Sequence, residues 1–148
     1  MEATFTHVGI TVSDLDASVK FYEEVFGFTC RLKKRFEPDF FAAAPTCYNL
    51  PAGTYSDMAF MVAPNDITIE MFAFKPLIPK TEDIPWNRPA WTHIALQVDD
   101  LVEFAKHMKA KGVRFCMEVM DRHDGGHWVF VLDPDGNMVE VAEPMRKK

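Results

Sequence analysis

The sequence predicts an α+β fold in which two tandem β-α-β-β-β modules form a curved mixed sheet. The main observation is an internal repeat, because residues 7–15 align without a gap with residues 93–101, at an offset of 86. A second match aligns residues 63–70 with residues 133–140, at an offset of 70. In addition, apolar and polar residues alternate from position 7 and again from position 93, which is typical of half-buried strands.

The first module is predicted to contain a strand, a helix and three further strands. A strand over residues 7–12 precedes a helix with Ser13 as its N-cap, and this helix ends at Gly27. The second strand is expected over residues 28–36. A tight turn at residues 64–66 joins the third strand to the fourth.

The second module repeats this order of elements. Its first strand is expected over residues 93–98, and its helix runs from Leu101 to a stop at Gly112. The counterpart of the second strand is expected over residues 113–120. The turn at residues 134–136 takes the place of the earlier turn between the last two strands.

Length and composition indicate an ordinary globular chain. It has 148 residues, 48% of them hydrophobic and 26% charged, which is enough to bury a core without disulfides. We expect the first module over residues 1–80, a linker over 81–89 and the second module over 90–148, together as a single structural domain.

Charge and hydropathy exclude several partners. The net charge of −6 argues against nucleic acid, because affinity for phosphates depends on Lys and Arg. No apolar run approaches the roughly 20 residues of a membrane span, and no stretch resembles a signal peptide. We therefore expect a cytoplasmic protein with no membrane partner.

The first copy carries extra residues between its two matched blocks. The offsets of 86 and 70 differ by 16 residues, and the excess falls most naturally at residues 37–54, which are rich in aromatic side chains. Long connections of this kind often serve function. We leave two interpretations open, a lid over a site and a short helix that covers an open sheet edge.

Three other features give weaker signals. The basic residues 31–35 are predicted to form a solvated edge strand, with an anion site as the alternative. His123 and His127 flank two glycines, and we expect a hairpin turn there rather than a metal loop. The cysteines lie outside any CxxC motif and are expected to be buried or half-buried free thiols; they are Cys30, Cys47 and Cys116.

The repeat also places four possible metal ligands in matching positions. His7 and His93 begin the first strand of each module, and Glu70 and Glu140 lie in the fourth strands, opposite the apolar face. Either histidine alone would more often be structural. Two carboxylates near each other repel unless a cation or proton intervenes, and two imidazoles with two carboxylates suit zinc, nickel, iron, manganese or cobalt. The sequence therefore predicts a metal cleft.

Aromatic residues near these ligands are candidate walls of a substrate pocket, with core packing as the alternative. Phe72 and Trp91 are expected on the ligand-bearing faces, because each lies two positions from a ligand. The insert offers Phe40, Phe41 and Tyr48.

Several motifs together resemble those of the vicinal oxygen chelate superfamily. They are the paired β-α-β-β-β modules with strands that begin at histidine, the Val-x-Asp-Leu helix entries, the segment FYEEVFGF and the ending DPDGNMVEV. This superfamily includes glyoxalase I, extradiol dioxygenases, methylmalonyl-CoA epimerase, fosfomycin-resistance enzymes and bleomycin-binding proteins. The resemblance covers nearly the whole chain apart from the insert.

The ligand set is most similar to that of bacterial glyoxalase I. His7, Glu70, His93 and Glu140 match its His, Glu, His, Glu set position by position. The resemblance implies a metal-dependent lyase or isomerase that chelates vicinal oxygens of a small-molecule substrate and shuttles a proton through an enediolate. It implies Glu140 as the base and Glu70 as its counterpart, a divalent ion, first zinc or nickel, and a homodimer in which ligands come from one chain or from two.

Two alternatives of a different class remain at this stage. A small-molecule or antibiotic-binding resistance protein could keep the same fold with or without a metal. A non-haem iron extradiol dioxygenase would use fewer protein ligands and open positions for dioxygen. One scaffold hosts all of these chemistries, so the fold does not choose between them.

Overall fold

A computed structural model describes residues 2–80 and 85–145. The chain divides into two compact units, Met1–Lys80 and Thr81–Lys148. Each unit contains one mixed sheet, and the predicted α+β class is confirmed. The first four residues of the expected linker, 81–84, lie outside the described residues.

The first unit contains the predicted β-α-β-β-β order with two short helices added in the insert. Its sheet has the order β1-β4-β3-β2, and β1 runs parallel to β4 while the other neighbours are antiparallel. The elements are β1 His7–Thr11, α1 Leu15–Phe26, β2 Thr29–Phe36, α2 Pro38–Ala42, α3 Pro45–Tyr48, β3 Tyr55–Val62 and β4 Thr68–Lys75.

The second unit repeats this arrangement with one interruption. Its sheet has the order β5-β9-β8-β6, β7 also pairs with β8, and β5 runs parallel to β9. The elements are β5 Ile94–Gln97, α4 Leu101–Ala110, β6 Arg114–Phe115, β7 Met120–Asp121, β8 His127–Leu132 and β9 Met138–Ala142.

The prediction of one continuous strand over residues 113–120 is wrong. Phe115 pairs with Val131, and the next pair after the break is Met120 with Trp128. Five steps along one strand therefore match only three steps along its partner. The two extra residues cannot stay in register, so the strand breaks between β6 and β7.

Both long helices begin at an aspartate. Asp14 Oδ1 accepts a hydrogen bond from the Ala17 amide at 3.0 Å, so the prediction of Ser13 as the N-cap is wrong by one residue. Asp100 Oδ1 accepts from the Glu103 amide at 2.9 Å in the equivalent place. An extended backbone at each aspartate lets its carboxylate reach the third amide of the helix.

The predicted stops and turns are confirmed, and glycine or aspartate supplies the left-handed backbone where it is needed. Gly27 and Gly112 follow α1 and α4 with φ values of 71° and 74°. The equivalent turns of the two units carry Asp66 at φ 66° and Gly136 at φ 79°. Glycine adopts this region at little cost.

Alternation along the strands decides which side chains stay near solvent. In the first unit, α1 contacts β2, β3 and β4, and Ile69 and Met71 of β4 are buried with exposed fractions of 2% and 0%. Val139 and Val141 of β9 are fully buried. The intervening Glu70 and Glu140 are half-buried and lie on the opposite face of each sheet. No described helix could cross a membrane.

The basic run forms the edge strand β2, as predicted, and two of its cations pair with carboxylates. Lys33 Nζ lies 2.7 Å from Asp16 of α1. Arg35 donates two hydrogen bonds to Asp57 of β3, at 2.7 and 2.9 Å, and this guanidinium holds the pKa of the Asp57 carboxyl below its usual value. These ion pairs favour the edge-strand interpretation over an anion site.

Glu143 fixes the start of α4 to the sheet of the second unit. Its Oε1 accepts from the Leu101 amide at 3.0 Å and lies 2.9 Å from His127 Nδ1, while Oε2 accepts from the His127 amide at 3.2 Å. The side chain is buried, with 7% exposed. The hydrogen bond with the His127 side chain is the main reason that the pKa of the Glu143 carboxyl is lowered. The hydrogen bond from the Leu101 amide lowers it further.

We predict that Glu143→Gln lowers stability at neutral pH by on the order of 1–2 kcal/mol. Because the pKa of Glu143 is lower in the folded state, its contribution is complete above the usual carboxyl pKa of 4.5 and is lost as the pH falls through the folded value. The variant should therefore show a weaker loss of stability below that pH. Urea unfolding from pH 7 to pH 3 measures both effects.

Glu118→Gln is the matched control, because that carboxylate is 93% exposed. It should follow the wild-type dependence on pH. An unchanged acid slope in Glu143→Gln would show that Glu143 does not contribute in this way.

Candidate metal centre

His7 and Glu70 lie together on one face of the first sheet. β1 and β4 are parallel, and the Cα partner of Glu70 is Gly9, two residues after His7 on the same face. His7 Nε2 lies 3.4 Å from Glu70 Oε2. The space beside this pair is uncrowded, since a Cβ at the Gly9 position would meet only the Phe72 ring, at an ordinary contact distance of 3.8 Å.

His93 and Glu140 form the same pair in the second unit. The Cα partner of Glu140 is Ala95, again two residues after the histidine, so the register is that of the first unit. His93 Nε2 lies 3.1 Å from Glu140 Oε2. Each unit thus brings together its two predicted ligands.

A threonine holds the other ring nitrogen of each histidine, and the sequence reasoning missed both. Thr6 Oγ1 lies 3.0 Å from His7 Nδ1, and Thr92 Oγ1 lies 2.9 Å from His93 Nδ1. The signal was present, because the dipeptide Thr-His occurs twice at the same offset of 86. If Nδ1–H donates to the hydroxyl, the lone pair of Nε2 is available to a metal.

The donor set and its spacing fit a divalent ion. Two donors on one zinc ion, each at about 2.1 Å, lie roughly 3.0–3.5 Å apart for bond angles of about 90–110°. The two Nε2–Oε2 distances, 3.4 and 3.1 Å, lie in this range. Within residues 2–80 and 85–145, no three or more His, Cys, Asp or Glu side chains lie close enough together to hold a metal ion. Each unit by itself therefore offers one pair of candidate ligands.

Trp86 is a second residue that sequence reasoning missed. It falls within the expected linker, yet its indole stacks on the His93 ring with centroids 5.3 Å apart and planes 13° apart. The repeat gave no signal for it, because an offset of 86 would place its counterpart before residue 1. Phe130 of β8 meets the same imidazole edge to face, at 5.2 Å and 77°.

The face of the first sheet that carries Glu70 continues into an aromatic surface. Phe72 and Phe74 stack on this face, with ring centroids 5.7 Å apart, and Phe36 of β2 lies 6.2 Å from Phe72. The rings therefore extend from beside Glu70 towards the insert.

The insert adds its own rings to this surface through α2 and α3. The ring centroids of Phe40 and Phe36 are 4.2 Å apart, and those of Phe41 and Phe74 are 5.5 Å apart. Phe40 and Tyr48 remain exposed at 46% and 39%, whereas Phe41 is 5% exposed and fills the interior of the cluster. Of the three predicted residues, two can therefore face a ligand while Phe41 supports them.

Strand geometry does not test the prediction that Trp91 lies on the ligand-bearing face, because both Trp91 and His93 precede β5. β5 begins at Ile94, and the residues before it are irregular, so alternation does not assign Trp91 to a face. Its side chain is 90% exposed.

The remaining candidates outside the repeat are structural or solvent-exposed. Residues 123–125 form the expected hairpin turn. A hydrogen bond of 2.9 Å from the Gly125 amide to the Arg122 carbonyl closes it. The prediction of buried or half-buried thiols holds for Cys30 but not for Cys47 and Cys116, which are exposed. Although Cys116 is exposed as a residue, local desolvation of its sulfur raises the pKa of the thiol.

Comparison with known proteins decides the family. The model of the Glyoxalase/Bleomycin resistance protein/Dioxygenase superfamily matches residues 4–141. The chain belongs to this superfamily. Relatives within it include two lactoylglutathione lyases, one from Schizosaccharomyces pombe at 26% identity and one from Pseudomonas putida at 28% identity.

These relatives differ in how much of their length the chain covers. The match takes 96% of this chain and 48% of the S. pombe protein, so the chain spans about half of that relative. It takes 95% of this chain and 84% of the P. putida protein.

Solved structures of the superfamily share the fold. A glyoxalase family protein from Bacillus cereus aligns with a TM-score of 0.79 at 20% identity, over 99% of this chain and 97% of that one. The fosfomycin resistance protein FosX from Listeria monocytogenes, solved with Mn(II) and a sulfate ion, aligns with a TM-score of 0.65 at 18% identity, over 97% and 94%.

We predict that Cys116 is a poor nucleophile. Its raised pKa leaves less thiolate at neutral pH, so it should react with iodoacetamide more slowly than a cysteine in an unstructured peptide. The rate should keep rising beyond pH 9. The variant Cys30→Ser/Cys47→Ser leaves Cys116 alone for this measurement, and a rate above that of the peptide at pH 7 would contradict the prediction.

Proposed function

We propose that this superfamily member is a metal-dependent lyase or isomerase of the glyoxalase I type. The observation that carries the proposal is the duplicated His–Glu pair, held in one register in both units. Several relatives named lactoylglutathione lyase, at 26–29% identity, support the same reaction class.

In this proposal all four side chains hold one divalent ion, with zinc or nickel as the first candidates. The spacing within each pair suits two donors of one ion, and the two imidazoles and two carboxylates together would hold it. The set is His7, Glu70, His93 and Glu140. We propose a homodimer, with the four donors drawn from one chain or from two copies.

When bound, the ion acts as a Lewis acid that polarises adjacent substrate oxygens and so makes the neighbouring C–H more acidic. Glu140 would accept this proton on a carboxylate oxygen and return it to the adjacent carbon, while the hydroxyl proton of the first carbon moves to the carbonyl oxygen of the second. The isomerisation then balances with no oxidant or reductant. Glu70 does the equivalent work at the other side of the substrate. Carboxylates of this kind typically contribute about 10²–10⁴-fold as general bases.

The aromatic surface beside Glu70 is proposed to hold the apolar part of the substrate. Phe72 lies nearest the ligand pair, and Phe40 and Tyr48 extend the surface while remaining exposed. Phe41 supports these rings from within the insert. Trp91, which is strongly exposed, stays a candidate for the same role near His93.

The proposal predicts a stoichiometric divalent ion and a defect in Glu140→Gln. Turnover should be sought under anaerobic conditions, after reconstitution with zinc, nickel, iron, manganese or cobalt, on α-ketoaldehyde–thiol adducts, acyl-CoA esters and catechols. Glu140→Gln should lower kcat by at least about 100-fold, while Glu118→Gln keeps the wild-type rate.

Each outcome of this screen has a clear meaning. Wild-type turnover in Glu140→Gln with its ion retained would remove Glu140 from the role of base. A protein that takes up no ion yet binds a flat aromatic molecule would instead be a binding protein of the resistance type. In a separate aerobic assay, oxygen uptake by the iron-loaded protein on catechols would favour a dioxygenase.

A further inference from the structure

Three side chains contact the imidazole of His93 and together restrict its orientation. Thr92 Oγ1 lies 2.9 Å from Nδ1, which sets the direction of the ring nitrogens. The Trp86 indole is nearly parallel to the ring, at 13°, and sets the plane. Phe130 meets the ring edge to face at 5.2 Å. Nε2 is thereby directed to Glu140, at 3.1 Å.

A short turn brings Trp86 to this position. The Arg88 amide donates to the Pro85 carbonyl at 3.0 Å, which closes a four-residue turn with Trp86 at its second position. Phe130 also contacts the indole, at 5.2 Å and 80°. Trp86 therefore rests on both the ligand and the strand β8, although half of its own surface, 51%, is exposed.

His7 has less support of this kind. Thr6 holds its Nδ1 as Thr92 does for His93, but in the part of the chain that the structure describes no aromatic ring is stacked on it. Its side chain is 47% exposed, compared with 25% for His93. The two pairs share a register and differ in how firmly the histidine is oriented.

We propose that Trp86 is a positioning residue for His93 and makes the His93–Glu140 pair the preformed half of the metal site. This inference rests on the proposed function. A ligand that already points at the ion loses little side-chain entropy on binding, and partners that orient a ligand typically contribute about 10–100-fold to metal affinity. The His93–Glu140 pair then supplies the larger share of the affinity, and the His7–Glu70 pair completes the site.

The first test is a titration of the full-length, metal-free chain with Zn²⁺ against a competing chelator. Trp86→Ala should weaken Zn²⁺ affinity by about 10-fold, and Trp86→Phe should restore most of it because the ring can still stack. Trp86→Leu, which keeps bulk without a ring face, should behave like Trp86→Ala. The matched control is Val102→Ala, which truncates a side chain of α4 that is 49% exposed and should leave Zn²⁺ affinity unchanged.

The second test reads the stack directly. In the variant Trp91→Phe/Trp128→Phe, Trp86 is the remaining tryptophan of the three in the chain. Its fluorescence should change when Zn²⁺ binds and also when His93→Ala removes the imidazole, whereas His7→Ala should leave the metal-free spectrum unchanged. Urea unfolding of each variant confirms that the folded states are being compared.

The outcomes separate the inference from the function on which it rests. Wild-type chain that takes up no Zn²⁺, nickel or other divalent ion would overturn both. Wild-type affinity in Trp86→Ala and Trp86→Leu would overturn the role of Trp86 and leave the proposed lyase or isomerase standing. Equal restoration of Zn²⁺ affinity by Trp86→Phe and Trp86→Leu, relative to Trp86→Ala, would show that bulk orients His93 and would overturn the role of stacking.

Discussion

The parallel pairing of the first and last strand in each unit is the constraint on which the site depends. It matches the residue two places after the histidine with the glutamate, Gly9 with Glu70 and Ala95 with Glu140. Because side chains alternate along a strand, a slip of one residue would move the glutamate to the face under the helix. The buried neighbours of each glutamate oppose such a slip, since it would expose them.

Periodicity and repetition predicted those parts of the fold that follow from local pattern. The alternation around His7 and His93 gave the first strands to within a residue or two, and the glycines after the helices gave their ends. The N-cap is Asp14 rather than Ser13. Either side chain can accept a hydrogen bond from a helix amide, and the choice depends on backbone angles that the sequence pattern does not specify. The break between β6 and β7 arises because this segment has two more residues than the part of β8 opposite it. A pattern read along one segment does not contain that comparison.

The pairs were predictable and their surroundings were not. The repeat supplied both histidines and both glutamates, and the same offset one residue earlier also relates Thr6 to Thr92. Trp86 reaches His93 through a turn in an irregular segment, where no periodicity connects sequence to position. For Trp91 the rule of alternation gives no assignment, since this residue precedes the strand. Contacts made by irregular segments need coordinates.

The insert enters after β2 and leaves before β3, and neither of these strands contains any of the four proposed metal ligands. The pairing of β1 with β4 fixes one histidine and one glutamate without any contribution from residues 37–54. The length and composition of that segment can therefore change by mutation without shifting the donor atoms. The aromatic surroundings of the proposed site could then vary while the proposed ligand pair stayed in place, which is one way for a single scaffold to serve unrelated molecules.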